Sequence, residues 1–196
     1  MIGATESDVA IISVGAAIPE RILTNDEISE LVETDDAWIV ERTGIRERRV
    51  AADDQSVTTL AIDAARQALE RADIAPAEID LIITATASPE RAFPSISALV
   101  ADDLGAHSAG ALDMLVACAG FAYGLSHAIA QIEGGFAETV MVIGTETLSR
   151  ITDWTDRGTC ILFGDGAGAV IVRKGAAPTR ELVAVELGVD GSKGFD

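Results

Sequence analysis

Along this chain, continuous apolar runs alternate with segments in which apolar residues recur every three or four positions. Val9 to Val14 reads as a first strand, closed by Gly15 and Pro19. Thr24-Asn25-Asp26-Glu27 offers a helix cap followed by early acidic residues, and Ile28, Leu31 and Val32 form the apolar stripe of a short helix. Asp35 to Arg42 predicts a second helix, stopped near Gly44. The clearest helix is Ser56 to Ala72, with Leu60, Ala64, Ala68 and Leu69 along one side and Pro76 beyond its end. Ile79 to Ala85 is apolar almost throughout, as in a strand covered on both faces. Ser95 to Leu104 reads as helix, Ala109 to Val116 as strand, Ala119 to Glu133 as helix and Val140 to Gly144 as another buried strand. Thr159 to Phe163 and Ala167 to Val172 look like a pair of strands around Gly164-Asp165-Gly166, and Leu182 to Leu187 alternates like one more.

Strands alternating with helices predict a layered α/β fold on a mixed, mostly parallel sheet. The last strands follow one another without helices between them, so that part of the sheet is expected to be antiparallel. At 196 residues, with 48% hydrophobic residues and a mean hydropathy of +0.30, the chain can bury a real core in one sizeable domain. No apolar run reaches membrane-spanning length, and nothing resembles a signal peptide. Cys118 and Cys160 have neither metal-ligand spacing nor a disulfide framework, so no metal is expected and a reducing cytoplasm fits.

Charge narrows the partners. With 32 acidic against 14 basic residues the net charge is −18, a field that repels nucleic acid and anionic membrane. Lys174 and Lys193 are the only lysines. Such a balance fits a high-salt milieu, or equally an acidic protein from a GC-rich genome.

Candidate chemistry centres on Asp113-Met114-Leu115-Val116-Ala117-Cys118-Ala119-Gly120-Phe121. Here an apolar run ends at a cysteine and a helical pattern begins. The unpaired N–H groups and partial positive charge of a helix start favour a thiolate and so raise nucleophilicity. Ala117, Ala119 and Gly120 leave room for a substrate carbonyl. A buried structural cysteine is the alternative that this local pattern leaves open. Trp38 and Arg42 lie four apart, on one helix face, and an exposed indole beside a guanidinium can hold a flat anionic ligand. A core tryptophan with an ion-paired arginine fits the same spacing. Gly164-Asp165-Gly166-Ala167-Gly168 invites a dinucleotide-binding reading, but that fingerprint opens a helix, whereas Ala169-Val170-Ile171-Val172 reads as strand. Glycines admitting a close backbone neighbour account for it better. The histidines are His107 and His127. On a continuous helix the nine residues from Cys118 to His127 span about 900° and about 13 Å, so His127 points away from the sulfur.

Five motifs, spread in order over nearly the whole chain, resemble the β-ketoacyl-acyl-carrier-protein synthase III family of the thiolase superfamily. They are Asp35-Asp36-Ala37-Trp38-Ile39-Val40-Glu41-Arg42-Thr43-Gly44-Ile45-Arg46-Glu47-Arg48, Ala92-Phe93-Pro94-Ser95, Ala117-Cys118-Ala119-Gly120-Phe121, Thr155-Asp156-Arg157-Gly158-Thr159 and Phe163-Gly164-Asp165-Gly166-Ala167-Gly168-Ala169. The resemblance implies a thiolase-like fold, in which two α/β halves pack as αβαβα layers, with residues 1–196 as the N-terminal half. It implies an acyltransferase that joins acyl-CoA, acetyl-CoA foremost, to malonyl-acyl carrier protein by decarboxylative Claisen condensation through an acyl-cysteine. Cys118 matches the nucleophile. Trp38 and Arg157 match residues that clasp the CoA adenine, with Thr34 and Arg42 near its nucleotide end. Phe93 matches a residue reaching the partner subunit's acyl pocket in a homodimer. CoA thioesters enter as substrates and no cofactor is implied. The family's catalytic histidine and asparagine lie in a second half, expected outside this chain, which stops at Phe195-Asp196. Met114-Leu115-Val116 is bulkier than the small residues common before the cysteine. Hydroxymethylglutaryl-CoA synthase and polyketide synthases are rivals within the superfamily. A half that only binds CoA or pairs with another subunit is the rival from a different class.

Overall fold

The computed structural model describes residues 9–175, 186–188 and 190–192. Its main sheet has five strands in the order β1-β7-β6-β4-β5. These are β1 (Val9–Ala17), β4 (Leu81–Ala85), β5 (Gly110–Met114), β6 (Thr139–Thr147) and β7 (Asp165–Lys174). The pairs β4–β5 and β4–β6 are parallel, while β6–β7 and β1–β7 are antiparallel. Four of the five strands therefore run one way and β7 alone opposes them, as the late helix-free run of strands predicted.

Helices α3 (Val57–Ala72) and α4 (Ile96–Leu104) cover one face of the sheet, and α5 (Gly120–Glu133) covers the other. Seven residues of α3 are buried, and its inward face is rich in alanine. Small side chains let the helix sit on β1 so closely that a Cβ at Gly15 would lie 2.0 Å from the Ala64 carbonyl oxygen. Ser13 donates a hydrogen bond to the Ala68 carbonyl across the same contact (2.5 Å). On the opposite face, Gly120 and Gly124 bring α5 close to β4 and β6: a Cβ would meet Ala85 Cβ at 2.8 Å or Val142 Cγ1 at 2.9 Å.

A second, two-stranded sheet pairs β2 (Arg21–Thr24) with β3 (Glu47–Val50), and α1 (Asn25–Ser29) and α2 (Asp36–Thr43) lie between them in sequence. The apolar pattern did not predict this hairpin, because its four-residue strands carry Arg21, Arg48 and Arg49 in place of an alternating run. Its small core joins Leu23, Ile28 and Ile39 to Cys160 and Ile161. Arg48 is buried within it, donating to Asn25 Oδ1 (2.7 Å) and to the Ile161 carbonyl (2.6 Å), and burial pushes the guanidinium below its ordinary value.

One expected strand is absent. Residues 159–162 form turns. The Thr159 and Cys160 N–H groups donate to the Asp156 carbonyl and the Leu162 N–H to the Thr159 carbonyl, turn bonds that take these donors from a ladder. The apolar character of Cys160 and Ile161 comes from capping the hairpin core. Most of the alternating segment at 182–187 lies outside the described residues, and residues 186–188 form no strand. Among the described residues no helix is long and apolar enough to cross a membrane, and no group of acidic, histidine or cysteine side chains is placed to hold a metal ion.

Candidate active site

β5 ends at Met114 and the chain turns through a 3-10 segment, Ala117–Ala119, into α5. Cys118 is the middle residue of that segment and is exposed, at the carboxyl ends of the parallel strands where α/β sheets place ligands. Ala117 before it has φ +45°, a left-handed conformation that costs a residue with a Cβ about 1–3 kcal/mol. The start of α5 carries no side-chain cap, so its first N–H groups are not taken up by a capping side chain. A cleft of about 340 Å³ opens here, lined by Cys118, Phe121, Ala85, Glu146, Gly166 and Gly168 among others. The glycines that resembled a nucleotide fingerprint thus open a strand and form a wall facing the cysteine cleft.

Glu146 is the acid in that cleft that sequence reasoning missed. Its carboxylate accepts the Ala87 N–H (2.7 Å) and the hydroxyls of Ser88 and Thr86. It therefore anchors the start of the segment that leads to Phe93. Glu90 ties the next part of this segment to α3 by accepting the N–H (3.0 Å) and hydroxyl (3.1 Å) of Thr58. Burial pushes Glu90 up, but the bonds from Ser56 and Thr58 outweigh it and hold the carboxyl below its usual value. Asp113 closes the far end by accepting the N–H groups of Ile96 (2.6 Å) and Ser97 (2.9 Å). Between these anchors Phe93 is 87% exposed. The sequence signal for Glu146 was an acid two residues beyond the apolar run Val140 to Gly144; the structure extends β6 through it.

Neither histidine lines the cleft. His127 lies within α5 beside Gln131 (3.3 Å), and His107 is exposed ahead of β5. Cys118 stands in the 3-10 turn before α5 and not on one continuous helix with His127, so the helical reckoning from the sequence does not apply as it stood.

The second cluster forms around Trp38. Asp35 caps α2 by accepting the Trp38 N–H (2.7 Å), and Gly44 ends the helix at φ +73°. The Arg42 guanidinium carbon lies 4.2 Å from the indole centroid and that of Arg157 lies 4.0 Å from it. Trp38 is half-buried against the hairpin core, and its ring lies within reach of both guanidinium groups. Arg42 makes an exposed pair with Glu41 (3.6 Å). Arg157 stands on a loop shaped by two carboxylates. Asp153 accepts from the Thr155 hydroxyl and N–H, Asp156 from the Thr159 hydroxyl and the Gly158 N–H, and these bonds hold both carboxyls below their ordinary range. Thr34 precedes α2, and its hydroxyl is buried with no partner among the described residues. Cys160, the other thiol, is fully buried, and burial pushes it up.

Comparison with known proteins points the same way. The family model for 3-oxoacyl-[acyl-carrier-protein] synthase III matches residues 112–191. A β-ketoacyl-[acyl-carrier-protein] synthase III of Bacillus pumilus is 47% identical over 187 residues, 95% of this chain and 60% of the relative. The crystal structure of the Aquifex aeolicus 3-oxoacyl-[acyl-carrier-protein] synthase III superposes with a TM-score of 0.84 at 46% identity, covering 86% of this chain and 55% of that one. The priming β-ketosynthase of the R1128 polyketide pathway also superposes at 0.84, with 37% identity, over 91% and 53% of the two chains. The chain spans about three-fifths of the length of the curated relatives it matches. Over that span it is similar in sequence to β-ketoacyl-[acyl-carrier-protein] synthases III and shares their thiolase-like fold.

Proposed function

We propose that this chain supplies the nucleophile and the CoA-nucleotide clasp of a synthase III type condensing enzyme. The observation that carries the reading is Cys118, an exposed thiol in a cleft at the uncapped start of α5. Its thiolate attacks the thioester carbonyl of an acyl-CoA. The carbon–sulfur bond to CoA breaks, CoA leaves as its thiol, and an acyl-cysteine remains. Malonyl-acyl carrier protein then loses carbon dioxide, and the carbanion attacks the acyl-cysteine to give β-ketoacyl-acyl carrier protein and free Cys118. Acetyl-CoA is the primer of this reading, and no cofactor takes part. Trp38 and Arg157 clasp the adenine, each cation–π contact worth about 0.5–1 kcal/mol at an exposed site, while Arg42 and Thr34 face the phosphate end. Phe93, held outward, reaches the acyl pocket of a second copy in a homodimer.

The decarboxylation step builds charge on a thioester oxygen, and each preorganised donor lost there costs about 10²–10³ in rate. No histidine lines the cleft, so those donors are assigned to the family's remaining segment. Mass spectrometry after incubation with acetyl-CoA tests the first step: a 42-dalton gain (about the mass of one acetyl group replacing a proton) is expected on the Cys118 peptide. An unmodified Cys118 would leave a CoA-binding or subunit-pairing role. The 37% identical priming β-ketosynthase of a polyketide pathway favours one second reading, the priming of a polyketide chain, and competition between acetyl-CoA and other acyl-CoAs tests which primer Cys118 takes.

A further inference from the structure

Asp165 is the charged residue of the glycine-rich run, and it is buried. Its charge is held by three donors. Oδ2 accepts the Ala51 N–H (2.7 Å) and the Ser149 hydroxyl (2.5 Å), and Oδ1 accepts the Ser149 N–H (2.9 Å). These donors come from two separate parts of the molecule. Ala51 directly follows β3, the strand that closes the hairpin segment bearing Trp38. Ser149 lies in the 3-10 turn Leu148–Arg150 after β6, from which the Arg157 loop departs. The Ser149 carbonyl in turn accepts the Trp154 indole N–H (3.1 Å), three residues before Arg157. Arg150, beside Ser149, reaches back to the carbonyls of Ala52 (3.1 Å) and Gln55 and ties the turn to the same stretch that follows β3.

One buried carboxylate therefore fastens both jaws of the Trp38–Arg157 stack to the first residue of β7. We infer that Asp165 is a positioning residue for nucleotide recognition: it sets the spacing at which Trp38 and Arg157 meet a purine ring. This rests on the nucleotide reading of the Trp38 cluster. A carboxylate is required because an asparagine offers one acceptor oxygen and two donors, so three inward-pointing donors cannot all be satisfied. The glycine-rich motif thus serves nucleotide binding at second hand, through loop placement, and not as a phosphate cradle.

The test is a double-mutant cycle in the 196-residue chain, with adenosine 3′,5′-bisphosphate as probe and titration calorimetry as readout. Asp165→Asn should weaken binding about tenfold in the native background and less than about twofold when Arg157 is already alanine. Equal losses in both backgrounds, or none, overturn the proposal. If Asp165→Asn fails to unfold cooperatively, Ser149→Ala removes one of the three donors and takes its place in the cycle. A ligand-free readout separates this proposal from the nucleotide reading itself. The Trp38 indole resonance should move in Asp165→Asn by most of the shift caused by Arg157→Ala. If the native chain binds no bisphosphate but the resonance moves, the nucleotide reading fails and the positioning role stands. An unmoved resonance overturns the positioning role.

Discussion

Helices α3 and α5 pack on opposite faces of one sheet and use their N-termini differently. α3 begins with a reciprocal cap: Ser56 accepts the Thr59 N–H (3.2 Å) and Thr59 accepts the Ser56 N–H (2.7 Å). Glu90 takes the Thr58 N–H as well. Its first turn is chemically spent, and seven of its residues are buried. α5 begins without any cap, buries four residues, three of them glycine or alanine, and exposes apolar side chains around it. Leu115 is 76% and Phe136 82% exposed, and Phe121 borders the cleft. The same backbone element has a satisfied terminus at α3 and an uncapped one, beside Cys118, at α5.

The largest break in this comparison should come from the strut. Gly15→Ala drives a Cβ into the α3 backbone, which cannot rotate away, and should cost about 3 kcal/mol in urea denaturation. Gly124→Ala under α5 meets only the tip of Val142 and should cost about 1 kcal/mol.

The two thiols probe the same contrast chemically. Cys118 should react with iodoacetamide about 100-fold faster than Cys160, which is reached only by local opening and is raised by burial, with Asp156 adding to the effect. Peptide mapping reads the ratio, and preferential labelling of Cys160 would reverse the assignment of roles.

Smaller effects sharpen it. Ser56→Ala should cost about 1 kcal/mol through the lost cap. At α5, Ala119→Asp adds a charge that the helix start favours by about 0.3–1 kcal/mol, yet it should slow Cys118 alkylation several-fold by repelling the thiolate. Opposite signs in stability and reactivity would mark the α5 terminus as functional.

The smallest effect concerns acid. Glu90 has a lowered folded pKa, so its contribution is present above the ordinary carboxylate range and is lost as pH falls through the lowered value. Glu90→Gln should flatten that part of the stability profile while leaving neutral-pH Cys118 labelling unchanged.

What the sequence disclosed follows the strength of its periodicity. α3 and α5 repeat over about four turns, and β4 and the first half of β6 are largely apolar, so their existence was legible and only their ends moved. The structure gathers Arg42 and Arg157 around the Trp38 indole and sets Cys118 in a separate cleft. The β2–β3 hairpin was not legible, because its stability comes from Arg48 reaching Asn25 and Ile161, contacts 23 and 113 residues apart in sequence. The residues 159–162 misled because apolar content reports burial, and a turn can be buried against a neighbouring core as well as a strand can. Glu146 and Asp165 were invisible for a related reason: each works by collecting backbone and hydroxyl donors from distant segments, which no local pattern encodes.

The sheet order also sets a timetable for synthesis. β1 is made well before β7, its one neighbour in the sheet among the described residues, with Val9 opposite Lys174. At about 5–20 residues per second, roughly ten to thirty seconds separate the emergence of the two partners from the ribosome. During that interval the opening strand has no sheet neighbour, and α3 has no completed surface on which to settle. A nascent chain halted before residue 165 should therefore be a client for chaperones, whereas one halted beyond residue 175 can close its sheet.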